Sequence, residues 1–446
     1  MQHIQKSGGW AMMPFLVFVL TFLSAGILLN DFYALPAPVA VLLGIISAFF
    51  ILRGATAAKV DALIRGCGDS KIITMCLIYL LAGAFATVTK AVGGVDATVT
   101  LGLSVLPVKY LALGVFLLAA FLSTATGTSV GAIVALGPIA VGLAEQGQTN
   151  LPLLLGALLG GAMFGDNLSF ISDTTIAATQ TQECSMRDKF RVNILIAGPA
   201  ALATIGLLLV TGWSTPETAA LDLPALDASA IWQIIPYLLV IGLAISGVNV
   251  FVVLTVGTLA SGLVGLWQGQ LELLSLGRSV YEGFTGMTEI FLLSMLTGGL
   301  AQMVSEAGGI QFLLQKVSRT TRGFKSAQAS ILALVGGTNT AIANNTVSIV
   351  VTGQVVKEIS GKYSIDKRKS AALLDISSCI VQGLLPYGAQ VLILLSFTKG
   401  QLNFLDLWAN AWYLYLLLLF SLLAVYTPSV DRFLAKQPEA APAVAA

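Results

Sequence analysis

The chain has 446 residues, of which 56% are hydrophobic and only 10% are charged, and its mean hydropathy is +0.88. A soluble domain carries about 25% charged residues, so this composition excludes an ordinary soluble enzyme and indicates a polytopic membrane protein. The formal net charge of +1 provides no basic field for nucleic acid, and the four cysteines lack the spacing of a metal site or a disulfide framework. The single histidine, His3, precedes the first apolar run, so the membrane core has no histidine ligand or proton relay.

A membrane helix needs about 20 apolar residues, and runs of that size occur along the whole chain. Simple spans are predicted near 11–29, 36–52, 72–92, 192–212, 231–247, 248–267, 287–305 and 408–426. The longer stretches 110–144 and 327–356 are interrupted by Gly, Thr and Asn, and we predict re-entrant hairpins there. The stretches 151–181 and 370–398 contain carboxylates, and we predict broken helices that cross the membrane once.

The distribution of Lys and Arg supports this arrangement, because cytoplasmic loops retain positive charge. Of the 23 basic residues, 19 then fall on the cytoplasmic side: Lys6, Arg53, Lys59, Arg65, Lys71, Arg187, Lys189, Arg191, Lys316, Arg319, Arg322, Lys325, Lys357, Lys362, Lys367, Arg368, Lys369, Arg432 and Lys436. Both termini are predicted to be cytoplasmic.

The predicted fold is an all-α polytopic membrane protein of two inverted repeats, each with five transmembrane helices and a re-entrant hairpin. The predicted regions are a cytoplasmic tail (1–10), the first repeat (11–212), an external linker (213–230), the second repeat (231–426) and a disordered cytoplasmic tail (427–446). Gly68, Gly83 and Gly93 match Gly283, Gly298 and Gly308 at one constant interval along the chain. At slightly shorter intervals, Gly127 matches Gly337 and Asp166 matches Asp375. An odd number of crossings in each half gives the inverted-repeat plan of secondary transporters.

Polar breaks in such folds meet near the bilayer midplane, where they bind substrate and coupling ion. Carbonyl, hydroxyl and amide oxygens are the ligands that a hard cation prefers. The predicted hairpin-tip residues are Thr126, Gly127, Thr128, Ser129, Thr338, Asn339, Thr340 and Asn344. The predicted ion- or proton-binding residues of the broken helices are Asp166, Ser169, Ser172, Asp173, Thr174, Asp375 and Ser377.

Asp166 and Asp173 are the first candidates for Na⁺ ligands, because a charge at the centre of a membrane helix is costly and usually serves ions or protons. They are seven residues apart, so on an intact helix their positions would be separated by about 10 Å along the axis. They can serve one ion only if the helix unwinds between them, around Asn167 to Ser172, which Gly165 and the nearby Asn and Ser side chains permit.

These residues also have non-transport interpretations. Asp166 and Asp173 could cap helix ends, and Asp375 could lie at the membrane interface. The Asn residues near 339–345 could only join helices by hydrogen bonds.

The segment Gly165-Asp-Asn-Leu-Ser-Phe-Ile-Ser-Asp-Thr-Thr175, preceded by Thr126-Gly-Thr-Ser129 and Gly160-Gly-Ala162, resembles the signature region of the NhaC family of Na⁺/H⁺ antiporters, in the ion transporter superfamily. The family pattern typically reads Gly-Asp-Lys-x-Ser-Pro-x-Ser-Asp-Thr-Thr. This chain has Asn167 where Lys is common and Phe170 where Pro is common. The resemblance implies a family whose members also include malate/lactate exchangers and amino-acid transporters.

The resemblance and the carboxylates favour Na⁺/H⁺ exchange by competition of the two ions at Asp166 and Asp173. The alternative is a Na⁺- or H⁺-coupled carrier of a small organic ion, such as an amino acid or a carboxylate, with the hairpin tips as its binding surface. A channel or a structural membrane protein is a third hypothesis. We expect no cofactor apart from Na⁺, contacts with membrane lipid, no nucleic-acid partner, a homodimer as one option, and a location in the bacterial cytoplasmic (inner) membrane.

Overall fold

The computed structural model describes residues 4, 8–28, 35–147, 149–169, 172–214, 228–246 and 248–435, and these residues form helices and connections without a β-strand. The first part of the chain forms α1 (Met13–Leu28), α2 (Ala37–Ile51), α3 (Thr56–Cys67), α4 (Ser70–Ala91), α5 (Gly94–Val105), α6 (Leu111–Thr126), α7 (Ser129–Gln146), α8 (Leu151–Leu168), α9 (Asp173–Gln182) and α10 (Met186–Ser214). Short 3-10 helices precede α1 (Gly8–Met12) and α6 (Val108–Tyr110).

The second part of the chain repeats much of this order. It forms α11 (Ala228–Ile245), α12 (Val250–Trp267), α13 (Leu273–Gly286), α14 (Thr288–Glu306), α15 (Gly309–Thr320), α16 (Phe324–Ile342), α17 (Asn345–Lys362), α18 (Lys367–Leu384), α19 (Ala389–Phe397), α20 (Phe404–Ala409), α21 (Trp412–Tyr426) and α22 (Ser429–Ala435).

The helices are long and apolar enough to make this a multi-pass membrane protein. Within the described residues, eight segments could each cross a bilayer, and there are nine if α21 and α22, which are bent by 61° at their junction, form one span. Each predicted span, hairpin and broken helix coincides with a helix or a helix pair. The apolar runs did not reveal α3, α5, α13 and α15, because their polar residues interrupt the hydrophobic pattern.

Corresponding helices of the two halves begin and end at a nearly constant separation in the sequence. Leu151 and Lys367 are the first residues of α8 and α18, and both helices have 18 residues. The distance along the chain from Leu151 to Lys367 is called the repeat interval below. Helix order recurs at this interval, and the opposite sense of the two halves in the membrane stays a prediction.

Contacts between helices recur at the repeat interval as well. The side chain of Ser123 donates to the carbonyl oxygen of Ala162 at 2.6 Å. The side chain of Asn339 donates to the carbonyl oxygen of Ser378 at 2.8 Å. Asn339 and Ser378 each lie one repeat interval after their counterparts, so the same pair of positions joins the hairpin to the broken helix in both halves.

Glycines join the two halves where their helices cross. A Cβ atom added at Gly66 of α3 would lie 2.4 Å from the carbonyl oxygen of Gly298 of α14. A Cβ atom added at Gly83 of α4 would lie 2.2 Å from the carbonyl oxygen of Gly283 of α13. Only glycine allows backbones to approach this closely, as in small-residue helix interfaces in membranes. In one crossing α3 of the first half contacts α14 of the second half, and in the other α4 of the first half contacts α13 of the second half. The two crossings are therefore reciprocal, as contacts across a two-fold axis are.

Of the residues predicted for the tip of the second hairpin, Asn344 lies at the turn, whereas Thr338, Asn339 and Thr340 lie within a helix. α16 continues without a break through Gly336 to Thr340, and the chain turns at Ala343 and Asn344. Ala343 has φ 54° and Asn344 caps α17 by accepting from the Val347 amide, as Gly127 with φ 71° and Thr128 do in the first hairpin. Ala343 lies one repeat interval after Gly127, and the match of Gly127 with Gly337 was wrong.

Candidate ion-binding site

The polar segment after Gly165 contains a break between two helices. α8 ends at Leu168 and α9 begins at Asp173, so Asp166 and Asp173 lie on opposite sides of the interruption. Ser172 caps α9, and its hydroxyl accepts from the Thr174 amide at 3.3 Å. The helix is therefore interrupted between the two carboxylates, which is the condition for both of them to serve one ion. Residues 170 and 171, which include Phe170, lie outside the described part of the chain.

Gly165 has a different role from the one the sequence suggested. It lies within α8, and a Cβ atom there would be 2.4 Å from the carbonyl oxygen of Ala120 on α6. The glycine therefore allows α8 to pack closely against the first arm of the hairpin, and the unwinding starts after Leu168.

Asp166 is a buried carboxylate, 4% exposed, that is surrounded by hydrogen-bond donors. The Ser129 hydroxyl donates to Oδ2 at 2.7 Å, the Ser129 amide donates to Oδ2 at 3.3 Å, and the Ser172 hydroxyl donates to Oδ1 at 2.5 Å. Ser129 begins α7 and Ser172 caps α9, so two helix N-termini lie close to the carboxylate. The positive ends of helix dipoles favour a negative charge at this place.

The hairpin tips and the helix break surround one cavity of about 380 Å³. Its lining residues come from α4, from the first and second hairpin tips, from the break and from α12 and α19: Ser70, Thr74, Met75, Ile78, Gly127, Thr128, Ser129, Val130, Gly131, Asp166, Ser172, Asp173, Thr174, Val250, Asn344, Asn345, Thr346 and Gln390. Hydroxyl, amide and carboxylate oxygens are well represented in this lining, and they are the ligands of hard cations. Asp166 and Asp173 are the ionisable side chains among these described lining residues.

Asp173 differs from Asp166 in its surroundings. It lies on the wall of the same cavity, but it is exposed, whereas Asp166 is buried behind Ser129 and Ser172. The cavity therefore contains one carboxylate in a desolvated position and one in contact with solvent.

Other predicted residues lie away from the cavity. Asp375 is fully buried in α18 and forms an ion pair with Lys189. Ser377 donates to the carbonyl oxygen of Leu332 at 2.7 Å, and Thr340 donates to the carbonyl oxygen of Gly336 at 2.9 Å, so both hydroxyls make helix contacts. Thr338 and Asn339 are fully buried within α16, and Ser169, which ends α8, is also buried outside the cavity lining. The side chain of Thr126 lies outside the described part of the chain.

Two glutamines of the second broken helix were missed. The Gln390 amide donates to the Ser129 hydroxyl at 3.0 Å, and the Gln382 amide donates to Gln390 Oε1 at 3.2 Å. Gln382 lies one repeat interval after Asp166, so the position of Asp166 in the second half is occupied by Gln382 and not by Asp375. The constant interval of the matched glycines, applied to Asp166, would have led to Val381, the residue next to Gln382.

Lys189 was also missed. The charge distribution placed it in a cytoplasmic loop, but its side chain is 1% exposed and contacts Asp375. Lys369, 0% exposed and paired with Asp431, is a second basic residue from that set whose side chain is buried. A lysine in the first turn of a helix that follows a loop is indistinguishable in sequence from a loop lysine.

Lys90 lies on a second, separate cavity of about 700 Å³, together with Asp96, Glu145, Glu282 and Lys399. It is not among the residues that line the cavity containing Asp166. The first cavity has no basic side chain among its described lining residues, so its charge is suited to a cation.

A buried carboxylate at a helix break between two hairpin tips is the kind of site expected in a secondary transporter. Comparison with known proteins agrees, because the model of the Na⁺/H⁺ antiporter family matches residues 3–213 and 218–427. The chain belongs to the Na⁺/H⁺ antiporter family and is a transporter of the antiporter type, not an enzyme. The starts of the two matched segments are separated by almost the repeat interval.

Curated relatives extend over most of the chain. The Na⁺/H⁺ antiporter NhaC of Bacillus subtilis (strain 168) is 26% identical over 72% of this chain and 76% of its own length. The malate-2H⁺/Na⁺-lactate antiporter of the same strain is 25% identical over 72% and 74%. The arginine/ornithine antiporter ArcD of Halobacterium salinarum is 26% identical over 86% and 85%. A crystal structure of the YdaH transporter of Alcanivorax borkumensis covers 94% of this chain and 97% of its own with 13% identity and a TM-score of 0.39, a likeness too low to carry an argument.

Proposed function

We propose that the protein exchanges Na⁺ for H⁺ across the membrane and that the two ions compete for the carboxylate of Asp166. The observation that carries this proposal is the position of Asp166. It is buried, it lies at a helix break, and it is on the wall of a cavity shared by both hairpin tips. A buried carboxylate is stabilised when a proton or a cation neutralises it. One Asp166 side chain cannot hold both ions at once, so release of one accompanies binding of the other.

The groups around Asp166 fit this exchange. When Na⁺ binds, the hydroxyl oxygens of Ser129, Ser172 and Thr174 are within the same cavity wall and can turn lone pairs toward the ion. When the cation is absent, the Ser129 and Ser172 hydroxyls donate to the carboxylate. Hydroxyl groups serve in both states because they can donate or accept.

We also propose the orientation that such exchange requires. The halves 11–212 and 231–426 run in opposite senses in the cytoplasmic (inner) membrane of a bacterium, with both termini inside. The recurrence of helices at the repeat interval and the reciprocal glycine crossings support the two-fold relation. The distribution of basic residues supports the orientation.

Reconstituted liposomes with an internal pH dye test the exchange. An imposed Na⁺ or Li⁺ gradient, without any organic solute, is expected to drive proton movement in the wild-type protein. Asp166→Asn is expected to reduce the rate at least about 100-fold, which corresponds to about 2.8 kcal/mol. Glu145→Gln, which removes a carboxylate from the second cavity, is the matched control and is expected to retain the rate. Equal rates for wild type and Asp166→Asn would refute the proposal.

A small organic cation is the second candidate substrate, and the size of the cavity favours it. A volume of about 380 Å³ corresponds to roughly a dozen water molecules at about 30 Å³ each, more than one Na⁺ ion requires. Two carboxylates without a basic residue among the described lining groups favour a cationic amino acid over a dicarboxylate. The amides of Asn344, Asn345 and Gln390 can bind its polar groups.

The same liposomes distinguish the two candidates. If Na⁺ and Li⁺ gradients move no protons but arginine or ornithine gradients do, the organic cation is the substrate. If both kinds of gradient are needed together, Na⁺ is a coupling ion for the organic cation. Malate or lactate in place of the amino acids is expected to have no effect, and movement driven by either anion would contradict the charge argument.

A further inference from the structure

A buried ion pair lies behind the helix break, outside the cavity lining. The side chain of Lys189, in the first turn of α10, is 1% exposed, and that of Asp375, within α18, is 0% exposed. Lys189 Nζ is 2.5 Å from Asp375 Oδ2. Because α10 belongs to the first half of the chain and α18 to the second, the pair joins the two halves beside the site.

Lys189 also contacts both sides of the break. Its ammonium donates to the carbonyl oxygen of Asn167, in the last turn of α8, at 2.9 Å. It donates to the Thr175 hydroxyl, in the first turn of α9, at 2.7 Å. Asn193, one helical turn after Lys189, donates to the same Asn167 carbonyl at 2.8 Å and to Asp375 at 3.1 Å. Lys189 therefore links the two helix ends, and Asn193 adds a second donor at the end of α8.

The location of the ammonium is electrostatically favourable. The last carbonyl groups of a helix lack intrahelical partners, and they form the negative end of its dipole. Lys189 places a positive charge and a donor at that end of α8.

Stability alone does not account for the cluster. A buried ion pair is often no more stabilising than apolar residues of similar volume. Within the described part of the chain, the side-chain oxygens Asn167 Oδ1, Asn193 Oδ1 and Asp375 Oδ1 are buried and accept no hydrogen bond from another protein group. Features that cost stability are typical of functional sites.

We propose that Lys189, anchored by Asp375, is a positioning residue for the ion site. It holds the ends of α8 and α9 at the separation that directs the Asp166 carboxylate toward Ser129, Ser172 and the cavity. The proposal rests on the proposed exchange for its transport readout. Lys189 acts through the backbone of Asn167, next to Asp166, and does not itself touch the transported ion.

The test compares two neutralised ion pairs. Lys189→Met with Asp375→Leu removes both charges of the pair beside the break. Lys369→Met with Asp431→Leu removes a second ion pair between α18 and α22, in which Lys369 is buried, Asp431 is 27% exposed and the Nζ–Oδ1 distance is 2.8 Å. Thermal unfolding in detergent verifies that each variant folds. Thr175→Val, which removes one donor–acceptor contact without changing any charge, provides a milder variant if the first does not fold.

Two readouts follow for each variant. In liposomes, the Lys189/Asp375 variant is expected to raise the apparent Na⁺ half-saturation constant about tenfold, with a maximal rate within about twofold of wild type. Thr175→Val is expected to raise it about threefold, and the Lys369/Asp431 control is expected to leave it unchanged. Hydrogen–deuterium exchange of amides 165–176 is expected to become at least about fivefold faster only in the first two.

Unchanged Na⁺ constants and unchanged amide exchange in folded Lys189/Asp375 and Thr175→Val variants would overturn the inference. An equal effect of the Lys369/Asp431 control would overturn it too, because it would show a general loss of stability. Failure of the proposed function is separate. If wild-type protein moves no protons in a Na⁺ gradient, the exchange proposal fails, and amide exchange at the break still decides whether Lys189 positions the helix ends.

Discussion

The two broken helices are interrupted at corresponding positions but have opposite hydrogen-bond polarity. The first break leaves a carboxylate, Asp166, that accepts from the Ser129 hydroxyl and amide and from the Ser172 hydroxyl. At the corresponding place one repeat interval later, the Gln382 side-chain amide donates to the carbonyl oxygen of Ala343 at 3.3 Å and to Gln390 Oε1 at 3.2 Å. Donors thus surround one position and acceptors surround the other.

This difference explains why one half carries the charge. A carboxylate is stabilised by donors and by helix N-termini, whereas it would be repelled by the carbonyl oxygen of Ala343. The second break still contributes to the site, because Gln390 donates to Ser129 and so orients the hydroxyl that contacts Asp166. The first half supplies the charge, and the second half supplies neutral partners that position it.

The difference between the two breaks is tested most directly by exchanging Asp166 and Gln382. Asp166→Gln with Gln382→Asp keeps the number of carboxylates, but it places the charge among acceptors. We expect the rate of Na⁺-driven proton movement to fall at least about 100-fold, as much as in Asp166→Gln alone. The measurement is the pH-dye assay in liposomes. Recovery to more than a tenth of the wild-type rate would show that the two breaks are interchangeable.

The role of the donors around Asp166 is tested by removing one of them, the Ser172 hydroxyl. Ser172→Ala deletes the 2.5 Å contact with Asp166 and the cap of α9, so we expect the apparent Na⁺ constant to rise about tenfold, as for one hydrogen bond to a charged group. Ser377→Ala is the matched control, because that hydroxyl contacts Leu332 and lies outside the cavity lining. It is expected to change the constant by less than about twofold. Similar values for the two variants would contradict the role given to Ser172.

The smallest effect is expected for the second carboxylate of the cavity. Asp173 is exposed, so water and salt screen its interaction with a bound ion. Asp173→Asn is expected to raise the apparent Na⁺ constant about threefold, with a smaller rise at high ionic strength. A loss as large as that of Asp166→Asn would instead indicate that both carboxylates bind one ion directly.

Much of the fold could be predicted because lipid imposes strong constraints on sequence. The spans, the two hairpins and the two broken helices coincide with helices or helix pairs, since apolar length and polar interruptions are visible in sequence. The first tip at Gly127 was also visible, because glycine favours the left-handed conformation. The second tip was predicted only in part: Asn344 was named, but the turn at Ala343 was missed because alanine seldom adopts φ 54° and the Gly336-Gly337 pair gave a stronger signal.

The carboxylates of the candidate site could be predicted from the sequence, but the residues that contact them were harder to predict. Asp166 and its serines follow from the signature segment, but the ion pair of Lys189 and Asp375 joins residues 186 positions apart. No local pattern indicates such a pair, since it depends on how α10 and α18 pack. Asp375 was recognised as unusual from its place in an apolar stretch, while its partner was hidden among the basic residues that follow the break.

The reciprocal glycine crossings have a consequence for the origin of this asymmetry. Each half carries both members of the contact, so a chain of half this length could pair with a second copy of itself through the same surface. In such a pair of identical subunits, every break would have to carry the same residue. Joining the copies in one polypeptide removes that restriction, and it allows Asp166 to stand opposite Gln382. Fusion of the two halves therefore allows corresponding positions of the two breaks to carry a carboxylate in one half and an amide in the other.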